Sequence, residues 1–130
     1  MDSKYVLGIE ELDLQHEGIE RICIALDEVV DDKNCWLDLL EKLRERLRFH
    51  FYAEESIMNI FAYPEAQEHK RSHLEIIRLL DSYKDTRLTD ADIQKLRNHP
   101  MRVFMDQILA QDVRFASFIK RNKERLGIPL

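Results

Sequence analysis

Apolar residues recur at steps of three and four along four long stretches of the chain, which is the spacing of one face of an α-helix. The clearest stripe lies in the second stretch and consists of Leu39, Leu43, Leu47, His50, Glu54, Ile57 and Phe61. The same spacing predicts long helices over residues 12–30, 35–61, 64–83 and 100–124. Four amphipathic helices with short connections predict an all-α, up-down-up-down four-helix bundle.

Turn and cap residues separate these helices. Residues 5–11 are predicted to form a short N-terminal arm, Asn34 to cap the second helix, and Pro64 to lie in the first turn of the third. Thr89, followed by acidic residues, predicts a short extra helix over 90–97. No repeat or linker divides the 130 residues, which we expect to form a single domain.

Polar residues interrupt the apolar stripe of every long helix. They are His16 on the first helix, His50 and Glu54 on the second, His69 and His73 on the third, and Gln107 and Asp112 on the fourth. One histidine on an apolar face is usually a core residue with a hydrogen-bond partner. Four imidazoles and two carboxylates are different, because burying them unliganded costs more than a domain's net stability of about 5–15 kcal/mol. The pattern therefore predicts a metal site inside the bundle.

The choice of side chains indicates the kind of metal. Two carboxylates can bridge two cations, and a shell rich in imidazole and free of thiolate suits iron better than manganese, zinc or copper. A dinuclear centre uses all of the predicted ligands, whereas a single ion leaves some of them unused. The sequence accordingly predicts two non-haem iron ions bridged by carboxylates.

Charge and cysteine content narrow the range of partners. Twenty basic and twenty-five acidic side chains give a net charge of -5, spread along the chain, so we expect no nucleic-acid partner. No apolar run reaches the length of a membrane span, which predicts no membrane partner and a cytoplasmic protein. Cys23 and Cys35 are not in a metal-binding spacing and are interpreted as two reduced thiols without a role.

The order and spacing of the polar residues resemble those of the hemerythrin and bacteriohemerythrin family, four-helix proteins that bind O2 at a non-haem diiron centre. The resemblance covers the whole chain and is strongest in two segments, Gly8–His16 and His50–Met58. It implies that His16 and His50 hold one iron, that His69 and His73 hold the other, and that Glu54 and Asp112 bridge both. It also implies that O2 binds to the iron that has only two histidines in the family, here His16 and His50. The resemblance places Ile19, Phe51, Phe104 and Ile108 in the wall of the O2 pocket.

The chain departs from the family pattern at Gln107, where the family normally has a third histidine for the second iron. An amide oxygen is a weaker and harder donor than imidazole. The second iron then binds Gln107 Oε1 loosely, takes a water molecule, or lies open, and the sequence leaves these alternatives undecided. His99 is not expected to replace the missing imidazole, because it precedes Gln107 by eight residues, or about 12 Å of helix.

Three functional hypotheses follow. The first is a protein that reversibly binds O2, or another small diatomic ligand, for storage, delivery or sensing. The second is a diiron redox enzyme with peroxidase, oxidase or nitric oxide chemistry, favoured by the loss of one histidine at Gln107. The third is a structural metal clamp, or a site for a different metal. Oligomeric state is not predicted by the sequence.

Overall fold

A computed structural model describes residues 6–29, 32–83, 89–97 and 100–126. Within the last two segments, the side chains of 95–97, 100–101, 103–105, 107 and 124–126 lie outside the description. The helices are α1 (Glu10–Glu28), α2 (Lys33–Phe61), α3 (Ala66–Ser82), α4 (Asp90–Arg97) and α5 (Pro100–Leu126). The described segments contain no strand, so the prediction of an all-α fold with four long helices and one short one is confirmed.

The arm before α1 is joined to the helix by one carboxylate. Asp13 Oδ1 accepts a hydrogen bond from the Leu7 backbone N–H at 2.7 Å, and Asp13 Oδ2 accepts one from Gly8 at 3.1 Å. Gly8 has a φ of 80°, which an L side chain adopts only with strain. This turn lets α1 begin at Glu10, two residues earlier than the apolar spacing predicts.

The predicted cap of α2 is wrong by two residues. Asp32, not Asn34, is the N-cap, because its carboxylate accepts a hydrogen bond from the Cys35 backbone N–H at 3.0 Å. Asn34 therefore lies inside the first turn. The helix ends at Ala62, which adopts the left-handed conformation with a φ of 52°.

The predicted start of the helix is wrong for α3 and correct for α4. Pro64 lies in the turn before α3 rather than in its first helical turn, since the helix begins at Ala66. The short helix α4 is confirmed together with its cap. Thr89 Oγ1 accepts from the Asp92 N–H at 3.1 Å, and the Thr89 N–H donates to Asp92 Oδ2 at 2.9 Å, which is a reciprocal capping arrangement.

Two apolar layers fill the core of the bundle on either side of the polar residues. One layer includes Trp36, Leu43 and Leu47 of α2 with residues of α1 and α3, and the other includes Met58 of α2 and Phe115 of α5. His50 and Glu54 lie between these segments of α2, so the polar cluster is enclosed by hydrocarbon along the helix axis. Burial of these layers supplies the main stabilisation of the fold.

The buried stripe of α2 differs from the predicted one near its two ends. Leu40 and Met58 are buried, at 2% and 0% exposure, whereas the predicted Leu39 and Ile57 are only partly buried. An α-helix has 3.6 residues per turn. Over the 29 residues of α2, the buried face therefore shifts by one position relative to a simple count of threes and fours. No helix in the described segments is long and apolar enough to span a bilayer.

Candidate metal centre

Six predicted ligands from four helices meet in the interior of the bundle. They are His16 of α1, His50 and Glu54 of α2, His69 and His73 of α3, and Asp112 of α5, and none of them exceeds 4% exposure. Residues four apart on a helix lie on one face, so α2 and α3 can each direct two side chains to the same place. The interior therefore contains four imidazoles and two carboxylates within one apolar enclosure.

The six side chains form two overlapping groups of four. His16 and His50 belong to the first group, His69 and His73 belong to the second, and Glu54 belongs to both. Asp112 is the other shared member. Within each group, one possible ligand atom per residue lies within 4.8 Å of all the others. Each group could hold one cation, and two such cations would share both carboxylates.

Asp112 lies at the centre of the cluster. Its Oδ2 lies 2.8 Å from His16 Nε2 and 2.9 Å from His50 Nε2, and its Oδ1 lies 2.8 Å from His69 Nε2. One oxygen thus faces the imidazoles of the first group, and the other oxygen faces the second. That is the placement of a bridging carboxylate.

Glu54 is surrounded by ring nitrogen atoms and interacts with the Asp112 carboxyl group, but it makes no well-aligned hydrogen bond to any of the described imidazoles. Its Oε1 lies 2.6 Å from His50 Nε2, and its Oε2 lies 3.5 Å from His69 Nε2, yet both oxygens remain without a hydrogen-bond partner. His73 Nε2 is likewise without one. Buried oxygen and nitrogen atoms that converge without mutual hydrogen bonds fit a shared cation, since such atoms are otherwise costly to bury.

Two further side chains contact the Nδ1 atoms of His50 and His73. His50 Nδ1 lies 2.7 Å from Gln15 Oε1, and His73 Nδ1 lies 3.3 Å from Glu55 Oε2. An N–H at Nδ1 donates to these oxygens, which leaves the Nε2 lone pair of a neutral ring directed into the cluster. Sequence reasoning missed both roles. Gln15 directly precedes His16 and Glu55 directly follows Glu54, but neither lies on an apolar stripe.

The two buried carboxyl groups have opposite pKa shifts. Burial raises the pKa of Glu54 well above its usual range, and the charge of Asp112 raises it further. Burial also acts to raise the pKa of Asp112, but the bonds from His16, His50 and His69 lower it well below its usual range. In this state Asp112 carries the negative charge, while Glu54 tends to keep its proton.

His73 is suited to bind a metal as a neutral imidazole. Burial, reinforced by the nearby His69, lowers the pKa of His73 to about 3. A ring that is neutral at physiological pH has a lone pair for a metal without first losing a proton. The Phe51 ring stacks on the His73 ring with centroids 3.8 Å apart and planes 9° from parallel, which fixes the orientation of the imidazole.

The structure describes most of the predicted pocket. Ile19, Phe51 and Ile108 are buried in the apolar layer beside the cluster, at 2–3% exposure. Phe104 and Gln107 lie on α5, but their side chains are outside the described part of the chain. Their predicted roles, and the role of Gln107 as a ligand, therefore stay predictions.

Comparison with known proteins gives one match. The family model described as the hemerythrin HHE cation binding domain matches residues 7–117, a segment that contains all six clustered residues. No curated protein and no solved structure matches the chain.

Proposed function

The chain belongs to the hemerythrin HHE cation-binding family, and on that premise we propose that its buried cluster holds two iron ions and binds O2 reversibly. The observation that carries this proposal is the sharing of Glu54 and Asp112 by two groups of imidazoles. One cation needs at most one such group. Two groups that share both carboxylates are suited to a pair of cations and leave none of the six buried side chains unused.

Each of the two groups of side chains provides the proposed ligands of one ion. His16 and His50 would hold one iron, His69 and His73 would hold the other, and Glu54 and Asp112 would be available to both. Imidazole and carboxylate without thiolate favour iron over softer metals. Two bound iron ions supply the electrons that bind O2.

The apolar layer beside the cluster is the part of the chain that would retain bound O2. Ile19, Phe51 and Ile108 are buried next to the cluster, and we propose that Phe104 joins them. A dry wall excludes water and protons from the ligand, which slows loss of bound oxygen in reduced form. Storage, delivery or sensing of O2, or of another small diatomic molecule, are the uses that such a site can serve.

The test is an oxygenation cycle. Iron-loaded protein is reduced under argon and exposed to O2, and its visible spectrum is followed. The proposal predicts a new absorption band that disappears on return to argon and reappears with O2 over repeated cycles. Absence of a reversible band in protein that contains two irons per chain contradicts O2 carriage.

A second candidate function is a diiron redox enzyme, and Gln107 is the observation that favours it. Where the family pattern has a histidine, this chain has an amide that binds iron weakly, or leaves the position to water or to a substrate. Peroxidase, oxidase or nitric oxide chemistry then becomes possible at the second iron. Consumption of peroxide or reductant without a reversible band supports this alternative over the first.

We also propose that the protein works in the cytoplasm. Cys23 is partly buried and Cys35 is exposed, and both are free thiols. A reducing compartment keeps such thiols from pairing.

A further inference from the structure

A groove of about 660 Å³ runs along the surface between α2 and α3. Tyr52 and Leu74 line it and are 75% and 48% exposed. Exposed aromatic and aliphatic side chains surrounded by charged ones have the composition of a protein contact surface. Interfaces of electron-transfer proteins are typically small, so a partner of that kind needs only a limited contact surface.

The floor of the groove reaches the metal cluster. His73, a proposed iron ligand, lines the groove together with Phe51, whose ring stacks on it. Glu55 also lines the groove, is one-third exposed at its side chain, and approaches His73 Nδ1. A single imidazole therefore separates this surface from the proposed second iron, the one that does not bind O2.

The charge of the groove is opposite to that of the whole chain. Arg44, Arg48 and Lys70 line it, against the single lining carboxylate of Glu55. Arg44 is paired with Asp81 at 2.6 Å and also interacts with Glu41 and Glu45, so its charge is largely balanced and the positive charge of the groove comes from Arg48 and Lys70. The chain carries a net charge of -5, so an acidic partner is attracted to basic grooves such as this one. The presence of His73 in its lining is what favours this groove for electron transfer.

We propose that this groove is the docking surface of an acidic one-electron donor protein, which returns electrons to the oxidised diiron centre through His73. The inference rests on the proposed function, because an O2-binding iron centre that autoxidises is left ferric and binds O2 again only after a donor has reduced it. Two donor molecules each lose one electron, and two ferric ions become ferrous. No bond to the protein forms or breaks, and His73 stays neutral throughout.

A second groove provides the comparison. It has a volume of about 710 Å³ and is lined by Arg114, Lys120 and Arg121, with Tyr63 at its inner side. The Tyr63 ring centroid lies 6.4 Å from that of His69, so this groove is separated from the cluster by an additional aromatic ring. Its lining also has three cations and one carboxylate, that of Glu65, which makes it the matched control for a purely electrostatic effect.

The experiment measures reduction of the oxidised, iron-loaded protein by a reduced, acidic two-iron ferredoxin in stopped flow, at low and high salt. The test variant is Arg48→Glu with Lys70→Glu, and the matched control is Arg114→Glu with Arg121→Glu, which changes the net charge equally. We expect the test variant to lower the second-order rate at least tenfold at low salt and to flatten its salt dependence. The control should change the rate by less than about threefold. Equal losses in the two variants, or a larger loss in the control, overturn the proposal.

Binding is measured separately, by calorimetry with both proteins oxidised, so that docking is decided without electron transfer. Binding that is lost in the test variant and kept in the control supports the docking surface, and no difference between them overturns it. A stable dimer of this chain that dissociates on Tyr52→Ser assigns the groove to a second copy and also overturns it. The oxygenation band is recorded on the same preparations. A wild-type preparation with the band but without groove-dependent reduction contradicts the docking proposal alone, whereas one without the band contradicts the proposed function.

Discussion

The carboxyl groups of Glu54 and Asp112 are buried in the same cluster, and their pKa values shift in opposite directions. Two carboxylates at close range do not both ionise easily in an apolar enclosure. Three imidazoles stabilise the charge of Asp112, whereas burial and the charge of Asp112 raise the pKa of Glu54. Two cations between the carboxylates would allow both to ionise. This relationship underlies the first two predictions.

Cation affinity should fall as the pH is lowered. Glu54 must lose its proton to bind a metal, and its raised pKa extends the pH range in which the proton competes with the metal to values above the ordinary pKa near 4.5. Protonation of His73 contributes little to the pH dependence of cation affinity above about pH 4, since the pKa of His73 is lowered to about 3. Calorimetric titration of the metal-free protein with Fe²⁺ under argon, in buffers of different ionisation enthalpy, measures the protons released. We expect net proton release and tighter binding at higher pH, and an affinity independent of pH together with no proton release contradicts this assignment.

The two bridging carboxylates should respond differently to amide substitution. Glu54→Gln and Asp112→Asn should each lower iron content below one per chain, because each removes a ligand shared by both ions. In the metal-free protein, Glu54→Gln should leave the melting temperature unchanged or higher, since it replaces a group that already tends to be neutral. Asp112→Asn should cost about 2 kcal/mol, because it weakens three bonds from imidazoles to a charged group. Differential scanning calorimetry of both variants checks the contrast, and equal destabilisation by the two would refute it.

Restoring an imidazole at position 107 should prolong the oxygenated state. Gln107→His supplies the donor that the family pattern has at this position, so the second iron is better held and less open to water. The rate of autoxidation, followed from the decay of the oxygenation band, should fall severalfold. Gln107→Leu, which has no donor atom, serves as the control and should raise the rate or leave it unchanged. An unchanged rate in Gln107→His shows that position 107 does not control the lifetime of bound O2.

The two cysteines should differ in reactivity. Burial, with a further contribution from Asp27, raises the pKa of the Cys23 thiol to about 12, whereas Cys35 is exposed. Since the thiolate is the reactive form, an aromatic disulfide reagent at pH 8 should modify Cys35 rapidly and Cys23 slowly. The Cys35→Ser variant should lose the fast phase and keep the slow one. Two thiols that react at the same rate in the native protein would contradict the burial of Cys23.

Much of the fold and of the cluster could be predicted from the sequence, because helix periodicity places residues on a face without knowledge of the partner helices. Polar residues on the buried faces are therefore expected to lie close together in the core, as His16 and Asp112 do. The choice of Asp32 over Asn34 as a cap was not predictable from composition, since both residue types cap helices and only the path of the chain selects one. The contacts of Gln15 and Glu55 depend on the rotation of one helix against another. A single helical pattern contains no information about that rotation.

The role of the Gln107 side chain cannot be predicted from the sequence, for a different reason. Sequence comparison with the family pattern identifies the position, but whether its amide reaches the second iron depends on a side-chain conformation that spacing does not fix. The spectrum and lifetime of the oxygenated form are therefore better guides to its role than the sequence is.

Iron content tests the central claim most directly. Protein expressed with ample iron, purified under argon and analysed by elemental mass spectrometry should contain about two iron ions per chain, as two groups of ligands that share Glu54 and Asp112 require. The Glu54→Gln variant, prepared in parallel, should contain fewer than one. A wild-type content of one iron or less, or a full complement of another metal after growth in iron, contradicts the diiron centre.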